Sequence, residues 1–204
     1  MLNLSWGEEH VMSTRPHMDS DGLIFFQDQL SRSSCYLEFG CGGSTVYACN
    51  DAKVKTVISV DTDPKWIEKI RSETSSSDVD LYMDHIDLGK VGNWGTPKTA
   101  DRYRDFWKYS SSPWRKAAEL HVVPDTVLID GRFRIACFLF SLLTARAGTT
   151  IIFDDYCERP HYFVVENFCS LDRKVGRAGV FCVSKQFNVS ELVSEYARYT
   201  LDWS

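Results

Sequence analysis

Acidic residues stand at the ends of short apolar runs in this chain, where they could meet at one edge of a sheet. Residues 36–45 read Y-L-E-F-G-C-G-G-S-T: an apolar run, Glu38 near its end, then Gly40, Gly42 and Gly43, then Ser44 and Thr45. Glycine permits positive φ and close approach of a ligand to bare backbone. A helix opening at Ser44 would offer unpaired N–H groups to a carboxylate. Glu38 would repel a pyrophosphate but suits a ligand carrying an ammonium group. Asp61 ends the next apolar run, 19 residues after Gly42. An acid there can accept hydrogen bonds from both hydroxyls of a ribose. Asp130 and the Asp154-Asp155 pair end two later runs. Three hard oxygen donors of this kind suit Mg²⁺ or Ca²⁺.

These residues need elements to position them. Apolar spacing predicts strands at 35–39, 54–60, 79–83, 125–130 and 149–153, with two more near 172–176 and 179–184. Helices are predicted at 21–31, 44–50, 113–121, 133–147 and 159–169, and from Pro64 with Asp63 as N-cap. Over 133–147 Ile135, Phe138, Leu139, Leu142 and Leu143 recur at helical spacing, and Gly148 stands where a C-terminal cap belongs. Such alternation predicts an α/β fold: a doubly wound, mostly parallel seven-stranded sheet with helices on both faces and ligands at the C-terminal strand edges. Residues 89–114 do not scan as a regular element, and a connection of that length points to function. Trp94, Tyr103, Trp107, Tyr109 and Trp114 lie in it, either to stack on a bound ring or to anchor the loop on the core. Thr14, Arg15 and Pro16 are placed for a lid, Ser75–Ser77 for a surface loop, and Leu192, Val193, Tyr196 and Tyr199 for a C-terminal helix packing on the domain or a partner.

The chain has 204 residues, enough for one domain spanning 1–204, with an N-terminal helical segment at 1–33 and a C-terminal tail at 185–204. A net charge of −5 argues against a broad phosphate-binding surface, so nucleic acid is not expected as a partner. No run approaches the roughly 20 apolar residues of a membrane helix and no signal-peptide core is visible, so a soluble, cytoplasmic protein is expected. Seven cysteines without a C-x-x-C pair indicate neither disulfides nor a zinc knuckle. Cys41, inside the glycine loop, reads as a small filler or as a nucleophile. Whether the chain forms a homo-oligomer stays open.

Other readings exist for the same residues. A nicotinamide or flavin site prefers G-x-G-x-x-G, which G-C-G-G-S-T does not supply. Asp61-Thr62-Asp63 could be a metal-binding D-x-D, but that leaves the glycine loop unexplained. Asp61 could cap the helix at Pro64, and Asp87 could cap the turn before Gly89. Ser44 and Thr45 serve as helix caps in any reading.

Glu38, Gly40 and Gly42 fit E/D-x-G-x-G, and the chain here resembles motif I of class I methyltransferases that use S-adenosylmethionine, a cofactor with an ammonium, a carboxylate and a ribose. The resemblance implies a Rossmann-like fold and cofactor contacts from Glu38, Gly40, Gly42, Gly43, Ser44, Thr45 and Asp61. It also places Ile86 and Asp87 beside the adenine and Asp130 beside the cofactor. I-D-G at 129–131 and F-D-D-Y at 153–156 look like the macrocin-type, metal-dependent sugar O-methyltransferases, over roughly residues 35–170. That likeness implies a divalent cation, Mg²⁺ or another, on Asp130, Asp154 and Asp155. The acceptor it implies is the hydroxyl of a sugar or glycan, such as a deoxyhexose like rhamnose, or another small molecule.

One departure stands out. The family has D-G-D with its second acid as general base, whereas this chain has Asp130-Gly131-Arg132, and arginine cannot accept a proton. His161 is the first substitute as catalytic base, with His17 and His121 behind it. Arg132 and Arg134 could instead bind an acidic substrate group, or pair with Asp130 in the place of a metal. The alternatives are therefore a metal-free small-molecule methyltransferase and a cofactor-binding partner subunit without catalysis.

Overall fold

The computed structural model describes residues 15–52, 54–74 and 78–204; the segment before Arg15, with Thr14, and the loop Ser75–Ser77 lie outside them. Strands β1 (Cys35–Phe39), β2 (Thr56–Asp61), β3 (Asp80–His85), β4 (Thr126–Ile129), β5 (Thr150–Phe153), β6 (Arg173–Val175) and β7 (Ala178–Cys182) form one sheet ordered β3-β2-β1-β4-β5-β7-β6. β1 to β5 run parallel, and β7 is antiparallel to both β5 and β6. The helices are α1 (Ser20–Leu30), α2 (Gly43–Asn50), α3 (Pro64–Glu73), α4 (Trp107–Glu119), α5 (Arg134–Thr144) and α6 (Val189–Tyr199).

Both faces of the sheet are covered, which the two-residue side-chain period makes visible in the sequence. Leu37 and Phe39, Val127 and Ile129, and Ile151 and Phe153 pack beneath α4, α5 and α6. The intervening Tyr36, Leu128 and Ile152 pack with Phe26 and Leu30 of α1 and Ala48 of α2. Each large apolar side chain buried this way stabilises the fold by about 1.5–3 kcal/mol. Glu38 shares its face with Tyr36 and is therefore driven into the α2 side of an otherwise apolar sheet. Strand order reverses at β1, whose neighbours are β2 and β4, so the C-terminal ends of these three strands bound the crevice where such sheets bind ligands. Asp63 caps α3 through a 2.9 Å hydrogen bond from the Lys65 N–H, with Pro64 as the first helical residue.

Three elements differ from expectation. α4 begins at Trp107, six residues early, and carries Pro113 inside it. An interior proline removes one backbone hydrogen bond, but Tyr109, Trp114 and Ala117 are buried along one face, and the Trp114 indole donates to Ser141 Oγ of α5 at 3.0 Å. Tertiary burial therefore overrides the local signal. Residues 160–167 form a 3₁₀ helix rather than an α-helix; the buried pair Tyr162 and Val165 sits three apart, the repeat at which 3₁₀ side chains align. α5 ends at Thr144, and Gly148 serves the turn into β5 with φ +90° instead of capping the helix. Among the described residues no helix is long and apolar enough to cross a membrane.

Candidate active site

The glycine loop is held in shape from beneath. Glu38 is fully buried, and its carboxylate accepts hydrogen bonds from Tyr36 Oη (2.9 Å), Ser44 Oγ (2.7 Å) and Thr45 Oγ1. Thr45 Oγ1 in turn accepts from the Gly42 N–H at 2.9 Å. Burial pushes the Glu38 carboxyl up to about 7, against the pull of these donors. Glu38 thus ties α2 to β1 and presents no oxygen to a ligand, a correction to its expected contact with an ammonium group. Ser44 and Thr45 likewise turn inward to Glu38.

The three glycines have different reasons. Gly40 has φ +94°, and a Cβ there would come within 2.8 Å of Gly131 Cα, so the loop presses directly on the turn after β4. At Gly43 a Cβ would run into the backbone of Arg15 and Pro16, which cross over the start of α2. Of the three, Gly42 alone opens into space, with no atom of the described residues within 4 Å of where its Cβ would stand. Burial pushes the Cys41 thiol up, with Asp61 and Glu38 adding to the effect, so Cys41 is a loop filler and not a thiolate nucleophile.

Asp61 ends β2 beside this opening. Its Oδ2 accepts from the Cys41 N–H at 3.1 Å, while Oδ1 takes the N–H groups of Thr62 (2.6 Å) and Asp63 (3.1 Å). A carboxylate offers about four lone-pair sites, so Oδ2 retains room for one further donor. Burial raises the Asp61 pKa, while the three backbone donors oppose it. Thr62 Oγ1 donates to the Gly95 carbonyl at 2.9 Å, which brings the 93–95 turn over the end of β2. Ile86 is half-buried against the core. Asp87 accepts from the Gly89 N–H at 2.9 Å and pairs with Arg102 at 3.1 Å, so it caps its own turn, away from the adenine role expected of it. Of the aromatics in 89–114, Tyr109 and Trp114 are core anchors, whereas Trp94, Tyr103 and Trp107 are exposed.

The three acids after β4 and β5 do converge, with carboxylate oxygens within 4.8 Å of one another. Arginines already occupy them. Arg134 reaches Asp130 Oδ1 at 3.0 Å and Asp155 Oδ2 at 3.3 Å. Arg159 meets Asp155 Oδ2 at 2.8 Å. Arg177 grips both oxygens of Asp154, at 2.9 and 2.5 Å, and touches Asp155 Oδ1 at 3.0 Å. Three carboxylates face three guanidiniums, whose donors point at the oxygens a divalent cation would need. The three acids expected to hold a metal thus stand together, each paired with arginine, so a divalent cation would have to displace guanidinium contacts to bind there. Burial raises the Asp130 pKa and the neighbouring Asp154 and Asp155 add to it, with Arg134 opposing. Asp130 keeps about a third of its side chain exposed, so it is the accessible acid of the group.

The histidines fall differently from their expected order. His161 is exposed on the 160–167 turn, its ring against Tyr162. His121 follows α4 on the way into β4, at the opposite edge of the sheet from the glycine loop. His17 comes to the site, its carbonyl accepting from Arg177 Nη2 at 2.6 Å and its ring 6.4 Å from that of Trp94. Sequence reading missed Arg159 and Arg177. Asp155 and Arg159 stand four apart, the spacing of Asp130 and Arg134, whose pairing the sequence did suggest, so the same spacing could have flagged Arg159. Arg177 lies in the β6–β7 turn, and nothing local announces its partners.

No family of known proteins matches the sequence, and no curated protein does. Solved structures do. A methyltransferase-like protein from Silicibacter pomeroyi DSS-3 shares 28% identity with a TM-score of 0.83, over 93% of this chain and 100% of that one. Cofactor-bound Rv0187 from MTB shares 14% identity with a TM-score of 0.52, over 79% of each chain. The fibrillarin pre-rRNA processing protein of Methanococcus jannaschii shares 11% identity with a TM-score of 0.51, over 77% of this chain and 70% of that one. The architecture is the Rossmann-like methyltransferase fold, mostly parallel with an antiparallel hairpin at one edge.

Proposed function

We propose that this chain is an S-adenosylmethionine-dependent methyltransferase that methylates a hydroxyl of a small molecule, acting as one domain and without a resident divalent cation. The observation that carries the reading is the opening at Gly42, at the switch point of the sheet, between the start of α2 and the partly unfilled carboxylate of Asp61. A methyl-donor nucleoside fits this donor set: backbone N–H groups for its carboxylate and Asp61 for its ribose. The similarity to a methyltransferase-like protein over nearly the whole chain supports the same reading. The sugar or glycan acceptor rests on the macrocin-type motifs around Asp130 and Asp154.

The cofactor, when bound, supplies a methyl group already activated on sulfur, so the chain's work is alignment and proton handling. Orientation of two reactants can supply up to about 7–11 kcal/mol of the barrier. The interlocked Gly40–Gly131 contact and the Glu38 hydrogen bonds keep the loop from shifting. Arg134, Arg159 and Arg177 fix the acids around the crevice floor. Asp130, the most exposed of the three acids, takes the proton of the acceptor hydroxyl, its carboxylate held in place by Arg134.

Calorimetry with S-adenosylhomocysteine tests the cofactor reading: binding unaffected by Mg²⁺ is expected, and a preference for NAD would overturn it. Labelled methyl transfer to rhamnose and fucose glycosides tests the acceptor. Cofactor binding without transfer to any hydroxyl compound would favour the non-catalytic partner subunit instead.

A further inference from the structure

We propose that Arg132 binds an anionic group of the methyl acceptor, a carboxylate or a phosphate, and so sets which acceptors the enzyme takes. The inference rests on the cofactor reading above and names the substrate class for that site. Arg132 differs from the arginines whose ion pairs surround it. Arg134, Arg159 and Arg177 each meet a carboxylate at 3.3 Å or less, and Arg102 pairs with Asp87. Arg132 pairs with no carboxylate among the described residues. Among the described residues its buried Nε has no hydrogen-bond partner, and its side chain makes one bond, a 3.5 Å contact from Nη1 to Thr96 Oγ1. A buried polar donor left unpaired costs about 1–3 kcal/mol, more when the group is charged. A planar guanidinium recovers that cost by gripping a carboxylate or phosphate with two parallel N–H bonds.

Charge and position agree. The negative charges of Asp130, Asp154 and Asp155 are matched by three arginines, so Arg132 adds a cation that forms an ion pair with no carboxylate among the described residues. Its backbone N–H is fixed by Tyr109 Oη at 3.3 Å, and the preceding Gly131 lies against Gly40 of the cofactor loop. Thr96 follows the 93–95 turn that covers the end of β2. The guanidinium therefore spans from the β4 edge to the loop over the cofactor opening, where an acceptor must enter. The cofactor's own carboxylate has α2 to receive it, which leaves Arg132 for the second substrate.

The test uses the full chain and its Arg132→Gln and Arg132→Lys variants, each checked for an unchanged melting temperature. S-adenosylhomocysteine is titrated by calorimetry, followed by inorganic phosphate into the resulting complex. Cofactor affinity should be equal in all three, while phosphate binding weakens by about tenfold or more in Arg132→Gln and less in Arg132→Lys, which keeps the charge but not the fork. Phosphate binding that is missing in the unaltered protein, or equal in Arg132→Gln, overturns the assignment. Loss of cofactor affinity in Arg132→Gln with phosphate binding intact assigns Arg132 to the cofactor carboxylate and also overturns it. Failure of the unaltered protein to bind S-adenosylhomocysteine removes the cofactor reading itself, a result separable from the other two.

Discussion

Glu38 and Asp154 are both buried acids, yet they are satisfied in opposite ways. Glu38 accepts from three neutral hydroxyls and faces no cation, so its charged form is poorly compensated and its pKa rises from 4.5 to about 7. A carboxyl whose folded pKa lies above its unfolded value stabilises the fold fully below the unfolded pKa, and that contribution is lost as pH rises through the folded one. Urea unfolding midpoints should therefore contain a component that declines between pH 4.5 and about 7. Glu38→Gln should remove that component; a pH profile identical to the unaltered protein would contradict the assignment. Asp154, 2% exposed, is instead bound by Arg177. Asp154→Asn leaves that guanidinium partly unpaired, and breaking a buried pair costs about 3–5 kcal/mol. The expected result is a lower urea midpoint with no change in Mg²⁺ response, whereas loss of a Mg²⁺ effect at unchanged stability would restore the metal reading.

At the scale of elements, the loop from β1 to α2 is fixed by contacts that exclude side chains on two sides and leave a gap on the third. Gly42→Ala places its methyl where no atom of the described residues stands within 4 Å, on extended backbone that any residue adopts. Thermal stability should be nearly unchanged while S-adenosylhomocysteine affinity falls by about tenfold, since overfilling a fitted space costs about 1–3 kcal/mol. Full affinity in Gly42→Ala would mean that the cofactor lies elsewhere. Gly131→Ala should behave differently: its methyl would strike Tyr109 Oη and the Gly40 N–H, so stability itself should drop, measurable as a lower melting temperature. The contrast between the two substitutions separates a glycine needed for a ligand from one needed for packing.

Across the whole molecule, Arg177 joins pieces of chain that lie far apart in sequence. From the β6–β7 turn it binds Asp154 and Asp155 after β5 and the His17 carbonyl before α1, while its own N–H donates to Asp19, the α1 cap, at 2.7 Å. The segment 15–19, which crosses the start of α2 at Gly43, is thereby locked to the far side of the sheet. Arg177→Lys keeps the charge, but one ammonium cannot serve Asp154, Asp155 and His17 at once. Amide hydrogen exchange should quicken at residues 17–22 while the β1 and β4 amides stay protected; uniform protection would show that the segment is held by other contacts.

The sheet, its seven strands and the glycine loop were legible in the sequence because each rests on a local signal: apolar runs of strand length, Asp63-Pro64 at a helix start, glycines after Glu38. The meeting of Asp130 with Asp154 and Asp155 followed too, since strand ends at a known edge must be neighbours. What the sequence alone could not reveal was how those charges are balanced. Burial of Glu38, the turning of Asp87 to Arg102, the early start of α4 through Pro113 and above all the arrival of Arg177 depend on long-range packing. The local code places an acid at an edge, but only the folded chain decides whether a cation, a hydroxyl or a ligand stands opposite it, because electrostatic pairing acts through space and not along the backbone.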